Sequence, residues 1–205
     1  MASYRWKTFF EEEDRPEKPR RYGVTEMRGP HHSLFSQNLL QDVFDSMGQF
    51  VDGLKFAGGS HSLMPKSYIK EVTDLAHKHN VYVSSGDWAE YLQRGGPSAF
   101  KEYIECSTST SEVSPVIPIL YVKHFIGLRA LRGRDIIAKV VSRLGLEKTM
   151  FEASNPKTSE WFIKQYGPHV NLFVDHSQVM DLECLRGCNL GKDHVSVLGS
   201  SYYRF

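Results

Sequence analysis

From Tyr22 onward, short β-type runs alternate with amphipathic helical stretches, and this rhythm restricts the fold more than any other feature of the chain. Tyr22 to Arg28 reads as a strand stopped by Gly29-Pro30, after which Leu39, Leu40, Val43, Phe44 and Met47 recur at helical spacing. Val51 to Phe56 is a second strand, ended at Gly58-Gly59. Pro65 suits the first turn of a helix striped by Tyr68, Ile69, Val72, Leu75 and Ala76, with Asn80 at its C-terminal cap. Val81 to Val83 is a third strand, followed by helices around Trp88 to Leu92 and from Pro97 to Ile104. Further on, Ile136, Ile137, Val140, Val141 and Leu144 stripe a helix, and a strand runs from Lys148 to Ala153. The helix from Ser159 to Tyr166 stops at Gly167-Pro168, the strand from Val170 to Val174 follows, and a helix from Met180 to Arg186 ends at Gly187. Five strands joined through helices require crossover connections, and these make a parallel sheet of βαβ units.

Residues 107–134 break the rhythm. A Ser/Thr linker from Ser107 to Ser111 leads into a segment punctuated by Pro115 and Pro118, and Val116 to Ile126 suits either a strand or a short buried helix. At the N-terminus, residues 1–21 combine mixed charge with two prolines and read as a mobile arm; residues 188–205 read as a C-terminal tail. The folded body is expected over residues 22–187.

Charge and composition exclude several functions. A formal net charge of +1 supplies no basic field for nucleic acid. The longest apolar stretch, Val116 to Leu128, carries Lys123 and His124 and falls short of the roughly 20 residues a bilayer span needs. Neither nucleic acid nor a membrane is therefore expected as a partner. Cys106, Cys184 and Cys188 have no framework spacing, which favours free thiols in a reducing, cytoplasmic setting.

Four blocks carry a resemblance. The segment Tyr22-Gly23-Val24-Thr25-Glu26-Met27-Arg28-Gly29-Pro30 resembles the first strand of the plant heat-stress-associated branch of the phosphosulfolactate synthase family. Gly53-Leu54-Lys55-Phe56-Ala57-Gly58-Gly59-Ser60-His61-Ser62-Leu63 resembles that branch's second strand and its loop. Phe151-Glu152-Ala153 resembles strand seven, and Asn171 to Ser177 with Leu182 to Arg186 resembles strand eight and the closing helix. The match covers residues 15–106 and 135–187, with the blocks in family order. It implies a (β/α)8 TIM-type barrel and, in archaeal members, magnesium-dependent addition of sulfite to phosphoenolpyruvate. In that barrel, strands four to six lie between the helix ending near Glu105 and the helix opening near Asp135. One βαβ crossover takes roughly 30 residues, so residues 107–134 cannot hold three βα units. The expected fold is an α/β, incomplete TIM-type barrel lacking about three central βα units.

Alternation along Val51 to Phe56 sends Leu54 and Phe56 outward and Lys55 inward, near the C-terminal mouth where barrel enzymes place their sites. Lys55 with Gly58, Gly59, Ser60 and His61 offers a cation, close backbone approach and donors, the makings of an anion cradle. Glu26 and Arg28, two apart on the first strand, share a face and suit either a metal-bound carboxylate or each other. Ser84, ending the third strand, is a weaker candidate for phosphate contact. Glu152 and Asp175 end neighbouring strands; with Glu26 they are the expected hard-oxygen ligands for Mg2+, the cofactor the resemblance implies. The family's proposed acid, a lysine after strand five, falls in the absent interval. The expectation is therefore a heat-stress-associated protein without the sulfite-adding activity, working through a small anionic ligand, protein partners or self-association. The alternative is a magnesium-dependent lyase or synthase acting on a phosphorylated carboxylate such as phosphoenolpyruvate.

Overall fold

The computed structural model describes residues 16–29, 36–56, 60–85, 95–96, 98–99, 101, 120–122 and 131–187. Six strands form one parallel sheet: β1 (Thr25–Arg28), β2 (Gly53–Phe56), β3 (Tyr82–Ser85), β4 (Leu120–Val122), β5 (Thr149–Glu152) and β6 (Leu172–Val174). Among the described residues, the α-helices with defined bounds are α1 (Gln37–Met47), α2 (Lys66–Lys78), α3 (Leu131–Leu144), α4 (Pro156–Tyr166) and α5 (Val179–Gly187). The helices start where local chemistry favours them. Ser36 accepts a hydrogen bond from the Leu39 N–H to cap α1, and Asn155 does the same for Thr158 ahead of Pro156 in α4. Asn80, just past α2, takes φ +54°, a left-handed turn that asparagine tolerates and the expected C-cap required.

The strand order β3-β2-β1-β6-β5-β4 identifies the architecture. From β1 to β3, and again from β4 to β6, each step moves one strand in the same direction across the sheet. A doubly wound sheet would place its fourth strand, not its last, beside the first. Right-handed crossovers that all step one way put every helix on one face. The first and last strands are neighbours, as in a (β/α)8 barrel, and the break falls between β3 and β4, which do not pair. The result is an open arc of barrel.

Packing agrees with this winding. Met27, Leu54, Phe56, Val83, Phe151, Leu172 and Val174 point to the helical side and join Phe44, Val72, Ile137, Phe162 and Leu182 in the main core. Among the described residues the opposite face has a small apolar cluster of Val24, Met150 and Phe173, with Tyr82 against it. At the strands' N-terminal end the sheet is stitched by buried polar groups. Asn171 accepts from the Val24 N–H at 2.9 Å and donates to the Leu146 and Thr149 carbonyls at 2.9 and 3.1 Å. Asp52 accepts from the Thr25 N–H and from Arg20, both at 2.8 Å.

Two segments add detail to the sequence reading. The interval 107–134, expected to be irregular, contributes β4, which pairs with β5 and raises the strand count to six. In the charged arm, Arg20 reaches Asp52, and Lys18 donates to the carbonyls of Gly48 at 2.5 Å and His79 at 3.2 Å. The expected helix from Trp88 to Leu92, most of that from Pro97 to Ile104, and the tail 188–205 lie outside the described residues.

Candidate anion site on the inner face of the sheet

Register fixes which side chains meet on the face opposite the described helices. Glu26 lies beside Gly53 and Phe173, Arg28 beside Lys55, Lys55 beside Ser84, and Glu152 beside Phe173. Partners in a parallel ladder project to the same side. Glu26, Arg28, Lys55, Ser84, Phe173 and Glu152 therefore share one surface, the one that faces inward in a barrel. Gly53 leaves room for Tyr82 there: a Cβ would lie 2.3 Å from its ring, so the tyrosine would have to move.

Lys55 is 2% exposed and Glu26 fully buried, which is costly for charged groups unless they are partnered. The Lys55 ammonium lies 4.6 Å from the centre of the Phe173 ring, and Glu26 accepts a hydrogen bond from the Ser84 hydroxyl at 2.7 Å. The Arg28 guanidinium lies 5.0 Å from the same ring centre. Arg28 pairs with Glu152 rather than with its strand neighbour Glu26, through Nη2 to Oε1 at 2.8 Å. Both side chains of that pair keep a fifth to a quarter of their surface open to solvent. Among the described residues, Nη2 is the one guanidinium nitrogen with a hydrogen-bond partner. An Arg fork held by one tine and steadied by a ring presents its other donors in the planar geometry that carboxylate and phosphate match.

Asp175 lies just beyond β6, where its Oδ1 accepts from the Ser177 N–H at 3.1 Å and the Ser177 hydroxyl at 2.9 Å, and meets His176 Nδ1 at 3.0 Å. Burial pushes its pKa up, but the two Ser177 bonds and the charges of His176 and Arg28 outweigh that and leave it below the ordinary value. His61, in the turn after β2, tilts against Phe56 at 6.4 Å, and burial holds its pKa below the usual 6.5. It is thus a neutral donor near pH 7. Gly58 and Gly59 lie outside the described residues, as does the side chain of Ser60, so of the expected cradle the described part is Lys55 and His61.

The carboxylates expected to bind Mg2+ do not assemble. Among the described residues no three His, Cys, Asp or Glu side chains gather closely enough to hold a metal ion. Glu152 engages Arg28, Asp175 engages its own turn, and Glu26 engages Ser84. Phe173, the ring that joins the two cations, carries a signal that reading Val170 to Val174 as uniform strand core passed over. Alternation from Asn171 puts Asn171, Phe173 and Asp175 on one side, and Asp175 already marks that side as polar. Asn171, Asp52 and Arg186 were also passed over. Each binds backbone far away in sequence, so nothing local reveals it.

Comparison with known proteins bears on this arrangement. The family model described as (2R)-phospho-3-sulfolactate synthase (ComA) matches residues 13–111 and 128–192. Protein HEAT-STRESS-ASSOCIATED 32 of Arabidopsis thaliana is 50% identical over 284 aligned residues, spanning 100% of this chain and 99% of the relative. Since the chain has 205 residues, at least 79 of those 284 positions have no counterpart in it. The family model leaves out 112–127, the segment that contains β4. Two matched blocks flanking a gap, in the order of an open barrel arc, are one assignment read twice: the chain belongs to the phosphosulfolactate synthase family.

Proposed function

We propose that this chain is a heat-stress-associated member of its family that binds a small anion at Arg28 and Lys55 but does not add sulfite to phosphoenolpyruvate. The observation that carries the anion site is the Arg28 fork, bonded to Glu152 through one nitrogen, 5.0 Å from the centre of the Phe173 ring and partly open to solvent. Two observations support the loss of the synthase reaction. At least 79 aligned positions of the relative have no counterpart in this chain, and the family model breaks at 112–127, inside the interval in which the resemblance puts its acid lysine. Losing one placed acid typically costs about 10²–10⁴ in rate, and losing the strands that orient it adds to that. If Mg2+ binds, Glu152 and Glu26 on the inner face are the carboxylates proposed to hold it together with oxygens of the bound anion.

The association with heat stress comes from the name of the Arabidopsis relative, and a role in heat tolerance is proposed here by likeness. It acts through protein partners, for which the unpaired edges of β3 and β4 are available pairing surfaces among the described residues. The cytoplasm is the proposed compartment. Incubating the purified chain with phosphoenolpyruvate, sulfite and Mg2+ tests the chemistry. No phosphosulfolactate above background is expected, while phosphoenolpyruvate binding is measurable by calorimetry and lost in Arg28→Gln. Product formed at an enzymatic rate would favour the alternative, a lyase or synthase acting on that phosphorylated carboxylate.

A further inference from the structure

Phe173 occupies an unusual place for an aromatic side chain. It is 3% exposed on the face where charge dominates, with Glu26 beside it on β1 and Glu152 beside it on β5. Both cations of the candidate site lie against its ring, Lys55 Nζ at 4.6 Å and Arg28 Cζ at 5.0 Å from the centre. A ring face attracts a cation within about 6 Å of its centre, more strongly where water is excluded, as it is around Lys55. An aliphatic side chain of similar size would fill the space but offer no negative face.

We propose that Phe173 is the positioning residue of this site: its ring holds the Arg28 guanidinium and the Lys55 ammonium on one platform, so that both cations are set for an anion before it arrives. The inference rests on the anion-site reading above. Glu152 holds one nitrogen of the guanidinium, and the ring lies within cation–π reach of its carbon. Together they leave the remaining N–H groups aimed rather than free to rotate. Preorganisation of this kind lowers the ordering cost of binding and so appears as affinity.

The test compares wild type, Phe173→Leu, Phe173→Tyr and Met150→Leu, with phosphoenolpyruvate and inorganic phosphate as probes. Met150 belongs to the same apolar cluster, so Met150→Leu repacks it without touching the ring. Phe173→Leu is expected to weaken phosphoenolpyruvate binding about tenfold, the scale of losing partly desolvated cation–π contacts. Phe173→Tyr and Met150→Leu should stay within about threefold of wild type. In wild type alone, the Arg28 Nε–H proton resonance should be displaced upfield by the ring current, a readout independent of any ligand and of whether Phe173→Leu folds. Equal affinity of folded Phe173→Leu and wild type, or an undisplaced Arg28 resonance, would overturn the positioning role. A displaced resonance in a wild-type protein that binds neither probe would support the platform and overturn the anion-site reading instead.

Discussion

His61 sits half-buried in the turn after β2, where burial holds its imidazole below pKa 6.5. The folded state therefore takes up a proton less readily than the unfolded chain, so stability rises with pH and is lost as pH falls below 6.5. Asp175 is lowered too, but as an acid it contributes stability that persists above its unfolded pKa and disappears only as pH falls through the lower, folded value. The two losses occupy different windows. Denaturant melts should show a midpoint that declines between pH 7 and pH 5, and His61→Gln should flatten that decline while leaving the steeper fall at more acidic pH. An unchanged slope in His61→Gln would contradict the environment described for it. At this scale Lys55, Arg28, Glu26 and Glu152 were legible because alternation alone tells which way a strand residue points. Their partners were not, since pairing Arg28 with Glu152 across 124 residues depends on β1 and β5 flanking β6.

Helix α4 illustrates how an element is held. Phe162 is 1% exposed and stacks on Phe151 of β5 at 4.7 Å, Trp161 meets Phe162 edge-on at 5.0 Å, and Arg134 of α3 lies 5.6 Å from the Trp161 ring centre. The helix thus presses one aromatic side onto the sheet and borrows a cation from its neighbour. Phe162→Ala removes the central ring, and equilibrium unfolding should record a loss of about 3–5 kcal/mol. A loss under about 1 kcal/mol would mean that α4 is not docked as described. Periodicity located α1, α2 and α3 because each carries an apolar stripe that must find a sheet, while α4 and α5 were marked by the glycines that end them. It could not decide Val116 to Ile126, an apolar run with prolines where strand and buried helix look alike; pairing with β5 decides that Leu120–Val122 is a strand.

For the whole molecule, the decisive feature is where the sheet ends. The order β3-β2-β1-β6-β5-β4 retains the barrel's neighbours around its first and last strands and removes staves from the middle of the chain. The sequence showed the removal as a length too short for three βα units; it could not show that one short strand would extend the arc beyond β5. Successive N–H groups in a strand point to opposite edges, and Tyr82 N–H already points to β2, bonding the Asp52 carbonyl at 2.9 Å. The next one, Val83 N–H, points to the outer edge, where no strand among the described residues pairs with β3. Residue-resolved hydrogen exchange on the native protein reads this difference directly. An open arc predicts that the Val83 amide exchanges about a hundredfold or more faster than those of Tyr82, Leu54 and Met27, whose strands hold them on the paired side. Protection of Val83 equal to that of Met27 would mean that β3 is paired on both sides, and the open arc would be wrong.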